Sequence, residues 1–488
     1  MKELTALNRV HALCKELDAQ RVAYCHWKST AALDRSATGD NDLDLLVVRP
    51  DVGRFTEILY RLGFKEAAVA PARQLPGVLH YYGYDEEADR FVHVHAHYQL
   101  IVGDDMTKNY RLPIERVFVD SSIQEGPFKV PSPEFEFIVL VIRMILKHRT
   151  WDAVLRLRGR LPASARRELD YLRARIDPVK VYQILEHHVP WLTKTLFGLC
   201  VASLLPGCRT WTRISVGSEL QSALRGHGRR PHILDVHLKQ WRWCRRVLGW
   251  LVTRRSPRKR LASGGAVIAL VGGDGAGKST AVAEVHGWLS RNFDTITVHL
   301  GKPPESLVSF GIAVVLRTRR WFEARAARAG GPQPEGEVSA FPGYVWLLRR
   351  VGVARRRYRA YARARRFATN GGLVICDRYP IGELKLMDGP QCAGILPTAR
   401  PSRLIGFLAG KEEEYYRRIM PPDLLVVLKV DPEIAVRRRP DEVPAWVRAR
   451  NTEVWEFDWG ATRARVIDAS QSRSEVVSRL KSLIWASL

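Results

Sequence analysis

Apolar and polar positions along the chain fall into three zones. In the first, short β-like runs such as LDLLVV (43–48) and FVHVHAHYQLIV (91–102) are separated by segments with helical spacing, VGRFTEILYRLGF (52–64) being the clearest. That alternation predicts a small mixed α/β domain over residues 1–130. From PSPEFEFIVLVIRMILKH (131–148) onward the period is helical, and apolar and basic residues interleave with few strand signals. A basic helical region and linker is expected over 131–260, closing with the Pro-, Ser- and Gly-containing stretch TRRSPRKRLASGG (253–265). Beyond it, the apolar runs AVIALVGG, TITVHLG, GGLVICD, LLVVLKVD and ARVIDAS alternate with helical segments up to residue 488. Strands separated by helices imply a parallel sheet covered on both faces, so 261–488 is expected to be an α/β domain of that kind.

Composition narrows this picture only a little. At 488 residues, 46% hydrophobic and 26% charged, the chain is globular and too long for one ordinary core. The net charge of +26 is concentrated in stretches such as RRRYRAYARARR (355–366), which read either as solvated helix faces or as a surface for an anionic membrane or polymer. Seven cysteines, none in a C-x-x-C pair, argue against a disulfide framework or a structural zinc site. The longest apolar runs, LFGLCVASLL and IVLVI, are too short to span a bilayer. A cytoplasmic location is expected, with peripheral attachment at the inner face of the membrane as the variant that the charge suggests.

The chemistry concentrates at AVIALVGGDGAGKST (266–280). Gly272, Gly273, Asp274, Gly275, Ala276, Gly277, Lys278 and Ser279 fit G-x-x-x-x-G-K-[ST], followed by Thr280, between an apolar strand and a helix. Backbone N–H groups there converge on a phosphate, and the helix N-terminus adds its positive end. Lys278 is expected to bridge the β- and γ-phosphates of a nucleoside triphosphate, and Ser279 to bind Mg²⁺. Asp377, at the end of the strand in GGLVICDRYP, is placed to hold the metal or a metal-bound water. ATP and Mg²⁺ are therefore the expected cofactors.

GGDGAGKST, DRY, PPDLLVVLKVDPEIAVRRR and RVIDAS, in this order, resemble the successive signatures of the thymidylate kinases. The resemblance implies a P-loop kinase fold for 261–488, with a parallel sheet and flanking helices. It implies that Asp274 faces the acceptor rather than ATP, that Tyr379 lies on the substrate side, and that Arg378 acts near the reacting phosphates. It further implies a lid arginine at Arg438, and at Arg356 or Arg357 the arginine that holds the acceptor's monophosphate. Two stretches depart from the family: HLGKPPE, with Lys302 and Pro303 in place of a glycine pair, and PIGELKLMDGPQ in place of the segment that reads thymine. Thymidylate as acceptor is thus implied by resemblance alone, and another nucleotide or a non-nucleotide acceptor stays open.

A second acidic motif lies upstream. Asp42 and Asp44 alternate within a β-like run, which puts both carboxylates on one face, a spacing suited to Mg²⁺ at an α-phosphate. The segment HWKSTAALDRSATGDNDLDLLVV resembles the nucleotidyltransferase superfamily, with Lys28 and Ser29 where that family has a Gly-Ser turn and Gly39 leading into the acidic strand. The later strand, which in the family offers a third carboxylate, here carries His93, His95 and His97, either packed strand histidines or metal ligands.

Three readings follow. The first is an ATP-dependent nucleotide kinase acting on a nucleoside monophosphate, thymidylate by resemblance. The second is an ATP-binding regulatory protein that docks on anionic surfaces; the third is a nucleotidyltransferase working through Asp42 and Asp44 in surface-polymer or small-molecule modification. The partners expected are a nucleotide or related small-molecule acceptor, an anionic membrane or polymer, and a second copy in a homodimer, with no sequence-specific nucleic acid binding.

Overall fold

A parallel strand has both faces to bury, so the strands that carry the glycine-rich loop should be apolar throughout rather than alternating. In the computed structural model, β6 (Ala266–Gly272) meets that requirement with six of its seven residues buried. The structure describes residues 6–75, 77–148, 161–253, 258–301, 344–384, 386, 388–392 and 402–488. The divergent Lys302 and Pro303, and Lys385 and Met387 of the second divergent stretch, lie outside them.

The chain divides into two compact units, Met1–Lys259 and Arg260–Leu488. In the first unit, β1 (Tyr24–His26), β2 (Leu43–Val47), β3 (Lys65–Ala68), β4 (Val78–Asp85) and β5 (Arg90–His97) run in the order β1-β2-β5-β4-β3. The β2–β5 pair is parallel, and β1, β3 and β4 join it by antiparallel pairings. The helices expected as a separate middle region do not keep a core of their own. Ile138, Leu140, Val141 and Ile145 of the Pro133–His148 helix share one hydrophobic cluster with Cys25, Trp27, Leu46 and Val48 from the sheet and its edges. A helix as apolar as FEFIVLVI has too little polar surface to stand beside the sheet uncovered, and it buries itself against it.

In the second unit, β6 lies at the centre of a five-stranded sheet with β7 (Thr295–His299), β8 (Leu373–Asp377), β9 (Leu424–Lys429) and β10 (Arg465–Asp468), in the order β7-β8-β6-β9-β10. Every pairing is parallel. Successive strands therefore depart to opposite sides of β6, and the crevice for a ligand opens at its C-terminal end, where the loop begins. One face is covered by the Tyr344–Thr369 helix, whose Ala360, Ala364 and Ala368 pack on Val267, Ala269, Val271, Val374 and Cys376. The other carries the Lys278–Leu289 helix, tied to the Arg473–Ser487 helix by Trp288 against Trp485. Among the described residues, no helix is long and apolar enough to cross a membrane.

This packing explains most of the arginine run at 355–366. Ala354, Ala360, Ala364 and Ala368 recur on the buried side, while Arg355, Arg359, Arg363 and Arg366 face out. Small side chains let the helix lie close to the sheet, so enlarging one should be felt at once. Ala364→Leu is expected to destabilise the second unit by about 1–3 kcal/mol through overpacking, whereas Arg363→Ala should change stability by less than about 0.5 kcal/mol. Urea unfolding of the two variants checks the contrast.

Candidate functional site

The loop after β6 enters its helix through Gly277, whose φ of 81° and ψ of 12° put it in the left-handed region, where a side chain is strained. Lys278 follows at the first helical position and is buried, with its Nζ 2.6 Å from the Gly273 carbonyl oxygen. Burial, with Arg378 alongside, pushes its pKa down to about 8. Ser279 and Thr280 are exposed at the mouth of the helix. The Ser279 hydroxyl lies 3.3 Å from Asp377 Oδ2 at the end of β8, and Asp377 Oδ1 is buried without a hydrogen-bonding partner among the described residues. A hydroxyl beside a carboxylate with an unused lone-pair oxygen is a donor set that suits a hard divalent cation.

Asp274 behaves unlike the glycines around it. It is buried within the loop, yet its carboxylate is held by Arg378 at 3.1 Å and Arg450 at 2.6 Å. Burial works to raise its pKa, but the Arg450 hydrogen bond and the charges of Lys278 and Arg378 keep it below the ordinary carboxylate range. Arg378 itself has φ of 61°, a left-handed backbone that is costly for a residue with a Cβ. Its side chain thereby turns from the end of β8 back toward the loop and also approaches Asp388 at 3.7 Å. Arg438 reaches the same loop from the Pro432–Arg438 helix, 3.5 Å from the Gly275 carbonyl and 2.9 Å from that of Ala469.

Two residues expected at the acceptor land elsewhere. Arg357 is buried and its guanidinium donates to the carbonyls of Leu300, Gly301 and Asp388, to the Asp388 carboxylate and to the Tyr416 hydroxyl. Arginine has five N–H donors, so this set leaves none for a phosphate. Arg357 is a strut between the end of β7 and the segment after β8. Tyr379 is likewise buried, in the core beneath the sheet, and its hydroxyl donates to the Met420 carbonyl. The residue after a left-handed Arg378 is turned into the core, which is why the two neighbours point apart. Arg356, adjacent to Arg357 on the helix, is half-buried.

Two residues of this site were missed in the sequence, Arg450 and Asn451 on the Pro444–Glu456 helix. Asn451 is fully enclosed and donates to the Asp274 carbonyl at 2.9 Å and to Val447 at 2.8 Å. It also explains Gly273, where a Cβ would stand 1.9 Å from Asn451 Oδ1. The segment RARNTE carries no spacing that ties it to a loop more than 170 residues earlier, so no local signal points to it.

In the first unit the parallel β2–β5 register sets Asp44 opposite His95. Asp44 Oδ1 lies 2.7 Å from Lys28 Nζ, 3.0 Å from His95 Nδ1 and 3.4 Å from His97 Nε2. Burial opposes its ionisation, yet Lys28 and the His95 hydrogen bond hold it well below the usual carboxylate range. Asp42 pairs separately, with His93 Nδ1 at 2.6 Å, and His93 Nε2 is met by His80 and by Lys259, each at 3.1 Å. The two carboxylates therefore share a face, as alternation predicts, but they address different histidines. Ser29 has φ of 65°, and the backbone N–H groups of Ser29 and Thr30 point to Glu168 and Glu136, each at 3.1 Å.

Comparison with known proteins adds relatives without a family. No family model matches the chain. Two proteins of Escherichia coli K12 are similar in sequence. The uncharacterized ATP-binding protein YghR is 26% identical over 228 residues, which span 45% of this chain and 86% of that protein. The uncharacterized ATP-binding protein YghS is 26% identical over 233 residues, 46% of this chain and 93% of that protein. Among solved structures, deoxyadenosine kinase from M. mycoides with bound dATP matches 45% of this chain and 98% of its own at 14% identity, with a TM-score of 0.28.

Two outcomes test this geometry. Gly273→Ala should lower the thermal midpoint by displacing Asn451, and the loss should shrink when Asn451→Ala is already present, because the clash is then gone. The second concerns Lys278, whose folded pKa of about 8 lies below the ordinary lysine value of 10.5. Between those values the unfolded chain binds more protons, so stability rises with pH there and the penalty is fully present below pH 8. In nucleotide-free protein, the advantage of Lys278→Met over wild type should be on the order of 3 kcal/mol near neutral pH and narrow toward pH 10.5, as read by denaturation at a series of pH values.

Proposed function

We propose that the Arg260–Leu488 unit is an ATP-dependent phosphotransferase of the nucleotide kinase type, passing the γ-phosphate to a small phosphorylated acceptor. The observation that carries this reading is the meeting of Ser279 and Asp377 at 3.3 Å beside the buried Lys278, with Asp377 Oδ1 unpartnered among the described residues. The description of both Escherichia coli relatives as ATP-binding proteins supports ATP as the donor.

On this reading, Lys278 exchanges the Gly273 carbonyl for the β- and γ-phosphate oxygens of ATP when the nucleotide enters. Ser279 and Asp377 are the residues that would hold Mg²⁺, which supplies charge neutralisation on the phosphates. Asp274, fixed by Arg378 and Arg450, faces the acceptor side and keeps those two guanidinium groups at the mouth of the loop. Arg378 and Arg438 then stabilise charge on the equatorial oxygens as the bond from the γ-phosphorus to ADP breaks and the bond to the acceptor oxygen forms. Thymidylate is the acceptor suggested by the resemblance of the loop and DRY segments. With all five Arg357 donors occupied, the acceptor's phosphate falls instead to Arg378, Arg450 and Arg356.

ATP turnover by the full chain against a panel of nucleoside monophosphates, thymidylate included, tests the proposal. Acceptor-dependent ADP formation is expected, falling by about 10²–10⁴-fold in Lys278→Ala and Asp377→Asn. ADP release indifferent to every acceptor would count against a kinase and favour an ATP-driven regulatory protein.

A further inference from the structure

The first unit holds a cluster that the phosphotransfer reading does not use. Asp44, His95 and His97 each offer one ligand atom, and these atoms lie within 4.8 Å of one another. The two measured edges from Asp44 Oδ1 are 3.0 Å to His95 Nδ1 and 3.4 Å to His97 Nε2. Ligands bonded to one tetrahedral zinc ion at about 2.0–2.1 Å stand roughly 3.3 Å apart, so the spacing is that of a coordination edge. His97 supplies a second and independent indication. Its side chain is 7% exposed, and neither ring nitrogen makes a hydrogen bond among the described residues. A buried imidazole that makes no hydrogen bond and has a carboxylate oxygen no nearer than 3.4 Å is costly unless something fills its lone pair.

The surroundings fit the same conclusion. His95 is stacked on His80 with ring centroids 4.5 Å apart, and Trp27 meets His97 edge-on at 5.0 Å, so both imidazoles are orientationally fixed. His93 differs, because both of its nitrogens are already engaged by Asp42, His80 and Lys259. The positive charge of Lys28, 2.7 Å from Asp44 Oδ1, answers the buried carboxylate, and its side chain is 21% exposed.

We propose that Asp44, His95 and His97 form a binding site for a divalent transition-metal ion of the zinc class. Two imidazoles and one carboxylate form a donor set that suits zinc and disfavours Mg²⁺, which takes oxygen ligands. Three protein ligands also leave a coordination position open for water or an anionic oxygen. The acidic pair Asp42 and Asp44 is then not a two-carboxylate magnesium site, because only Asp44 faces the imidazoles that complete the set.

Equilibrium dialysis of the full chain against Zn²⁺, followed by metal analysis, tests the site, with Co²⁺ absorption as a readout of nitrogen coordination. The wild type should bind one more zinc equivalent than Asp44→Asn or His95→Ala, with affinity at that site reduced at least tenfold in each, while Asp42→Asn retains it. Half-buried His95 is the test position in case substitution of His97 impairs folding, and circular dichroism of each variant establishes that it is folded. Equal zinc uptake by wild type, Asp44→Asn and His95→Ala would overturn the proposal. So would displacement of the bound zinc by an equal concentration of Mg²⁺, or a loss in Asp42→Asn as large as that in Asp44→Asn.

Discussion

A carboxylate taken out of water has to be answered by positive charge or by hydrogen-bond donors, and both units of this protein are organised around that requirement. In the second unit the carboxylate is Asp274, inside the glycine-rich loop. Its two arginines come from different parts of the chain: Arg378 from the end of β8 and Arg450 from the Pro444–Glu456 helix. Satisfying one buried charge therefore draws a strand end and a distant helix onto the loop. Asn451, beside Arg450, extends the same contact to the Asp274 carbonyl. In the first unit the carboxylate is Asp44, and the groups that answer it are Lys28, His95 and His97.

The arginines of the second unit divide by the same rule. Those with nothing buried to answer stay on the outer face of the Tyr344–Thr369 helix, whose alanines take the sheet side. Arg357, buried on that helix, points inward and donates to three carbonyls and to the Asp388 carboxylate. Its role is to tie the end of β7 to the segment that follows β8, which holds the rim of the crevice in place. Basic residues of one composition thus serve as solvent-facing charge, as internal strut and as site cation, according to what each one faces.

Strain marks the point where these roles meet. Arg378 has a left-handed backbone without being glycine, and the consequence is visible on both sides of it. Its own guanidinium turns toward Asp274, and the next residue, Tyr379, is sent into the core to anchor on Met420. A conformation that is locally unfavourable persists because the ion pair before it and the buried ring after it both require it.

Much of this was open to inspection in the amino-acid sequence. The apolar runs of β6, β8 and β9 are long and uninterrupted because parallel strands are buried on both faces, and glycines, a lysine and a hydroxyl in fixed spacing after such a run define a phosphate loop. The alternation of Asp42 with Asp44, and of His93 with His95 and His97, likewise set which side chains share a face. Contacts between residues distant in the chain were beyond its reach. That Asn451 is the reason for Gly273, that Arg357 has no donor left, and that Asp44 rather than Asp42 faces two imidazoles all depend on register and helix placement. Local spacing determines the direction of a side chain along its own element, but only the packing of one element against another decides what that side chain meets.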